Sequence, residues 1–199
     1  MKERDKKLGL FLLVIFLNSI GYKAAQWFRP DGILVTTWLD SFIPYIPYFA
    51  VPYALYVPVV LLSFYLYWKD YKKYRVMALS VIAVLIISIA IYLTFQTRVI
   101  RENVEPADFF NWGVSVAYSL DEPVNALPSL HVALPTLATL FVYKRNRKLG
   151  LYIAPVTVLI ILSTVFIKQH AVLDVFAGLI LAFAVFRFRR VFEKISFFR

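Results

Sequence analysis

Apolar residues run along this chain in long uncharged blocks, not in the alternating or one-faced patterns of water-soluble strands and helices. The first block runs from Leu8 to about Tyr22. The second lies inside the uncharged stretch Ser41–Trp68, where Pro44 and Pro47 delay a regular helix to near Ala50. Val76–Phe95, Leu130–Tyr143, Leu149–Ile167 and about Ala171–Phe186 follow, the last with Asp174 near its start. Crossing a bilayer takes about 20 apolar residues, fewer where flanking side chains snorkel or a helix end lies in protein. The pattern predicts an all-α fold, a bundle of six transmembrane helices. With no internal repeat or low-complexity linker, residues 1–199 read as a single integral membrane domain.

The first block follows the basic run Lys2–Lys7 and could pass for a signal peptide. No small-x-small cleavage site follows it, so it is read as a retained span.

Composition supports the same class. The chain is 61% hydrophobic and only 17% charged, with a mean hydropathy of +0.70. A soluble domain averages about 45–50% apolar and about 25% charged residues. Disorder, collagen-like repeats and an ordinary soluble core are excluded. Cysteine is absent, which excludes disulfides, thiolate metal sites and cysteine nucleophiles.

The net charge of +10 raises nucleic acid as a partner. The basic residues, however, fall in short clusters between apolar blocks, as in membrane loops, so the partner expected is the bilayer and not nucleic acid. Six spans put both termini on one side. That side carries 17 of the 22 Lys and Arg residues, in Met1–Lys7, Lys69–Arg75, Lys144–Lys148 and Arg187–Arg199. Lys23, Arg29, Arg98, Arg101 and Lys168 fall on the other. The positive-inside rule then places both termini in the cytoplasm, in the cell membrane. The longest outer segments are Lys23 to about Phe49 and Gln96–Pro128. Phe109, Phe110, Trp112 and Tyr118 make the second too aromatic for a solvated linker, so it is expected to lie on the membrane surface or over a site.

The two histidines, His131 and His170, fall at the outer starts of the fourth and sixth blocks. One such residue alone reads as a packed polar group; two at one membrane depth point to a functional site. Asp174 lies four residues beyond His170, on the same helical face, where a carboxylate would fix the imidazole tautomer and leave the other nitrogen free as nucleophile or base. His131 closes the run Pro128-Ser129-Leu130-His131; the proline suits a first helical turn, where free N–H groups favour an anion. Arg98 and Arg101, at the outer end of the third block, read either as interfacial cations or as a phosphate clamp. Lys168 completes a cup of cations around an acid and a nucleophile, the parts phosphoryl transfer needs where no metal neutralises charge.

These residues resemble the type 2 phosphatidic acid phosphatase superfamily. Pro128-Ser129-Leu130-His131 is similar to its P-S-G-H motif, and Ser163-Thr164, His170 and Asp174 to its S-R-x5-H-x3-D motif, over about residues 76–186. Leu130 stands in place of the glycine and Thr164 in place of the arginine; the K-x6-R-P motif has no clean match, Arg101 being the counterpart of its arginine, with Thr94 in place of the lysine and Glu102 in place of the proline. The Lys23 to Arg29-Pro30 stretch is one residue too short and follows the wrong span. Pro-Ser-Leu-His, Lys168-Gln169-His170 and Asp40, Pro44 and Pro47 look more like the branch of the inositol phosphorylceramide and sphingomyelin synthases.

The resemblance implies that His170 attacks phosphorus, Asp174 orients it and His131 protonates the leaving alcohol. It implies that Ser129, Leu130, Arg101, Arg98 and Lys168 line the phosphate site, and that no cofactor or metal is required. The substrate expected is a lipid phosphate, reached at the outer membrane face. Hydrolysis and transfer to an alcohol both fit. A non-catalytic phosphate-binding protein would not need the His170–Asp174 pair, and a metal site of His131, His170 and Asp174 would need an open coordination position and a second shell. The oligomeric state is not legible.

Overall fold

The blocks predicted from hydropathy form helices in a computed structural model, which describes residues 2–28 and 31–197, side chains at 195–197 excepted. Arg29 and Arg199, which enter the charge count above, lie outside the described residues. The first block begins earlier than its apolar run, as α1 (Glu3–Phe16), and continues through a π-helical turn at Leu17–Gly21 into α2 (Tyr22–Phe28). A short α3 (Trp38–Phe42) precedes the proline-rich stretch. There the chain makes a 3-10 turn at Pro47–Phe49, then α4 (Ala50–Ala54) and α5 (Tyr56–Tyr67). The expected helix start near Ala50 is therefore where α4 begins.

The third block is α6 (Tyr71–Thr94), capped by the Asp70 carboxylate, which accepts from the Lys73 N–H at 3.2 Å. The aromatic outer segment folds into α7 (Phe109–Leu120), capped by Asp108. Then come α8 (Leu130–Arg145), α9 (Arg147–Phe166) and α10 (Val172–Phe197). A two-residue parallel ribbon, β1 (Ile33–Leu34) on β2 (Thr97–Arg98), was not expected; it ties the two outer segments together.

Glu3–Phe28, Pro47–Tyr67, Tyr71–Thr94 and Arg147–Phe166 are long and apolar enough to cross a membrane. Large apolar side chains such as Leu12 on α1, Leu151 on α9 and Ile180 on α10 project away from the rest of the protein. Apolar side chains turned outward along helices of this length suit a protein embedded in a bilayer.

The core lies where α8 packs among α5, α6, α9 and α10. Met77, Val84 and Leu85 of α6, Leu137 and Phe141 of α8 and Ala182 of α10 are buried there. One glycine sets how close two of these helices come. A Cβ at Gly178 on α10 would sit 2.7 Å from the Ser129 carbonyl and 3.0 Å from Val132 Cβ. Without it the start of α8 rests on α10, and the Ser129 N–H donates to the Asp174 carbonyl at 3.1 Å.

The loop leading into α8 is pinned from the end of α6. Gln96 Oε1 accepts from the Asn125 N–H at 2.8 Å, and Gln96 Nε2 donates to Asn125 Oδ1 at 2.6 Å. The Thr97 hydroxyl accepts from the Leu127 N–H at 2.7 Å. Asn125 has a left-handed backbone, φ 57°, a conformation asparagine tolerates better than most residues. Pro128 does not occupy the first helical turn as expected. Ser129 is the N-cap and Leu130 the first helical residue, so Pro128 lies before the helix, its carbonyl accepting from the Tyr92 hydroxyl at 2.6 Å.

Candidate functional site

His170 sits in the tight turn between α9 and α10. That turn closes because the Thr164 carbonyl accepts from both the Gln169 and His170 N–H groups, each at 2.9 Å. Thr164 itself is fully buried and its hydroxyl folds back onto Ile161, so it offers nothing to an anion in place of the arginine of the motif. Asp174, fully buried in the first turn of α10, accepts from the Ala171 N–H at 2.8 Å through Oδ2. The same oxygen lies 3.4 Å from His170 Nδ1, a contact that becomes an ion pair once the ring is protonated. Both ring nitrogens of His170, Nδ1 and Nε2, are buried with no hydrogen-bond partner among the described residues.

His131, the second residue of α8, is held by aromatic rings. Tyr53 of α4 stacks on it at 4.7 Å between ring centroids, and Tyr56 of α5 meets it edge-on at 4.6 Å. The Tyr53 hydroxyl lies 2.9 Å from His131 Nε2. The two imidazoles are 5.7 Å apart between ring centroids, tilted by 49°. One phosphate between them would touch both rings.

The expected anion ligands are distributed unevenly around this pair. Ser129, two residues before His131, is fully buried, and its Oγ has no hydrogen-bond partner among the described residues. Leu130 lines the cavity beside His131. Arg101 is folded inward: its Nη1 donates to the Asp121 carbonyl at 2.7 Å and more weakly to that of Tyr118 at 3.4 Å, and the guanidinium lies over the Tyr118 ring. Its Nε is buried and has no hydrogen-bond partner among the described residues. Burial pushes the Arg101 pKa down from its ordinary value, and the Asp121 carboxylate pushes back. Arg98, on β2, is exposed, and neither it nor Arg101 lines a cavity at the histidines.

Lys168 is turned away from the role expected of it. In a left-handed conformation, φ 55°, it donates its Nζ protons to the Ile43 and Asp40 carbonyls. Its ammonium thus helps hold the end of α3 against the turn while Lys168 still lines the cavity at His170. Asp40 secures the same junction by accepting from the Val172 N–H at 2.8 Å.

Sequence reasoning missed three residues that the fold brings here. Asp121 accepts from the Tyr22 hydroxyl at 2.8 Å, from Gln26 at 3.2 Å and from Gln169 Nε2 at 3.2 Å. It links α2, the outer segment and the residue next to His170. Tyr53 has no polar neighbour in sequence to mark it, and Asp121 is one acid among several in a loop. Gln169 lay within the Lys-Gln-His run already noted.

Two cavities approach the histidine pair, one at each ring. One of about 290 Å³ reaches His131 between Tyr22, Tyr53, Tyr56, Asp121 and Leu134. The other, about 250 Å³, reaches His170 between Thr37, Asp40, Ser41, Glu102 and Lys168. The aromatic outer segment packs beside the site: α7 contacts α4, its Ala117 and Leu120 line the His131 cavity, and the Tyr118 hydroxyl donates to the Ile167 carbonyl at 2.6 Å. Among the described residues, no three His, Asp or Glu side chains are grouped as a metal would require.

A family model described as PAP2 superfamily matches residues 23–188. Comparison with curated proteins and with solved structures yields no match.

Proposed function

Since the chain belongs to the PAP2 superfamily, we propose that it is a membrane-embedded, metal-independent phosphatase acting on a lipid phosphate through a phospho-histidine. Membership itself carries phosphatase- or phosphotransferase-type chemistry on lipid phosphates in a membrane. The observation that carries the finer reading is the His170 ring, with Nδ1 facing the Asp174 carboxylate, Nε2 bare and His131 across from it.

In the first step the His170 Nε2 lone pair attacks phosphorus as the bond from phosphorus to the lipid oxygen breaks. His131 gives that oxygen its proton. Asp174 stabilises the positive charge the His170 ring acquires. In the second step water attacks phosphorus, His131 takes its proton, and the N–P bond breaks to release phosphate and restore His170. Ser129 and the unpartnered Nε of Arg101 are the donors left for phosphate oxygens. Lys168 acts mainly by positioning the turn, and Arg98 attracts the anion from the surface.

The site would open at the outer face of a six-span domain with cytoplasmic termini. In support, α8 is short but wrapped by protein, and α10 carries an exposed stripe of Leu173, Phe176, Ile180 and Phe183 at helical spacing. The basic clusters named above lie at the opposite end.

A second reading is favoured by one feature. The separate polar cavity beside His170 leaves room for a substituent that stays on phosphorus, as a headgroup transferred to an alcohol would.

The test is phosphate release by detergent-purified protein from phosphatidate, phosphatidylglycerophosphate, undecaprenyl diphosphate and lysophosphatidate, with EDTA present. Release from one of these, absent in His170→Ala, supports the phosphatase. Headgroup transfer from a phosphodiester lipid to an alcohol, without phosphate release, would favour the second reading. Loss of activity with EDTA would contradict both.

A further inference from the structure

A third cavity, of about 330 Å³, lies at the end of the bundle away from the histidines. It opens between the end of α5 and start of α6, where Tyr67, Lys72, Lys73 and Val76 line it, and the end of α8, which contributes Phe141, Lys144 and Arg145. The 24 residues of α6 connect this cleft to the loop that pins His131. At about 1.5 Å per residue that is about 36 Å, more than the thickness of a hydrocarbon core of about 30 Å. No ligand that touches the histidines reaches it.

Four cations from two helices converge there. Lys73 is paired with Asp70 at 2.8 Å. Lys144 is paired with Glu193, and Arg189 approaches the same carboxylate at 3.6 Å. Two acids therefore face five cations, and Arg145 makes no ion pair among the described residues. Lys144 and Arg145 also occupy the last turn of α8, where the helix dipole already favours positive charge. The excess is thus tolerated without a ligand but remains available to one. The floor is apolar and aromatic: the Tyr67 ring meets Phe141 edge-on at 5.7 Å, and Trp68 is part-exposed beside it.

From this combination we infer that the cleft binds the phosphate headgroup of an anionic phospholipid in the leaflet opposite the histidine site. The cations recognise a phosphate anion, which a free ion could also supply. The apolar floor distinguishes the two sources, since it would cover the glycerol and upper acyl carbons of a lipid and offers nothing to an inorganic ion. The inference does not depend on the reading of the histidine pair.

The experiment uses the full-length protein in a neutral detergent. Bound lipid is counted by native mass spectrometry, and thermal unfolding is followed, during titration with phosphatidylglycerol, phosphatidylcholine or inorganic phosphate. The double variant Lys72→Gln/Arg145→Gln removes two cleft cations and keeps the Lys73–Asp70 and Lys144–Glu193 pairs. Lys2→Gln/Lys148→Gln removes the same charge from exposed positions outside the cleft. Wild type and the control are expected to retain phosphatidylglycerol and gain thermal stability from it, and the cleft variant to need at least tenfold more. Should the double variant not survive purification, Arg145→Gln alone carries the comparison. Equal phosphatidylglycerol binding by wild type and cleft variant would overturn the inference, as would equal binding of phosphatidylcholine. A full response to inorganic phosphate alone would replace the lipid with a free anion.

Discussion

Tyr53 and His131 stack at 4.7 Å between ring centroids while the tyrosine hydroxyl reaches His131 Nε2 at 2.9 Å, so one side chain fixes both the plane and the polar edge of the imidazole. Tyr53→Phe keeps the stack and removes only the hydroxyl. The account expects normal folding and a several-fold loss of kcat with little change in KM. A fall in KM alone, or full activity, would show that the hydroxyl does not act through His131.

Asp174 is placed to be more than a helix cap. Asp174→Asn keeps an oxygen for the Ala171 N–H but loses the charge beside His170. Elsewhere the loss of an orienting carboxylate lowers kcat by about 10⁴-fold, and a loss of orders of magnitude is expected here with the melting temperature nearly unchanged. Activity within a few-fold of wild type would make Asp174 structural.

Arg101 is folded inward and Arg98 is exposed. Arg101→Ala should therefore weaken inhibition by vanadate more than Arg98→Ala does. Titration of vanadate against both variants checks this, and the reverse order would move the phosphate contact to Arg98. Arg101→Ala should also loosen α7, read as faster proteolysis of the outer segment, because its guanidinium holds the Tyr118 and Asp121 carbonyls.

Gly178 joins packing to chemistry. Gly178→Ala puts a methyl against the Ser129 carbonyl, an overpacking that costs about 1–3 kcal/mol. It should also lower activity, since Ser129 and Asp174 both move with that contact. Thermal unfolding and turnover measured on the same preparation check the two effects together. An alanine variant with unchanged stability and turnover would mean the helices are free to part.

Helix positions were legible in the sequence because apolar block length is a local property. Pro44 and Pro47 marked the delayed start at Ala50, and the histidine–aspartate spacing marked a contact, made from the turn before α10 onto its first turn and not along one helical face. Contacts made across long stretches of chain were not legible. Nothing local to Tyr53 or Asp121 announces that the one meets His131 and the other ties Tyr22 to Gln169. Lys168 misled for a related reason: its left-handed turn sends the ammonium to the carbonyls of α3, a neighbour invisible from its own segment.

The central claim is that His170 becomes covalently phosphorylated, and it is tested most directly by rapid acid-free quenching of the protein with a lipid substrate labelled in its phosphate, followed by peptide mapping. The account predicts an alkali-stable, acid-labile phosphate on His170 that forms during turnover, is absent in His170→Ala and forms more slowly in His131→Ala, which lacks the acid for the leaving alcohol. Turnover without any such phosphate, or label on another residue, would contradict it.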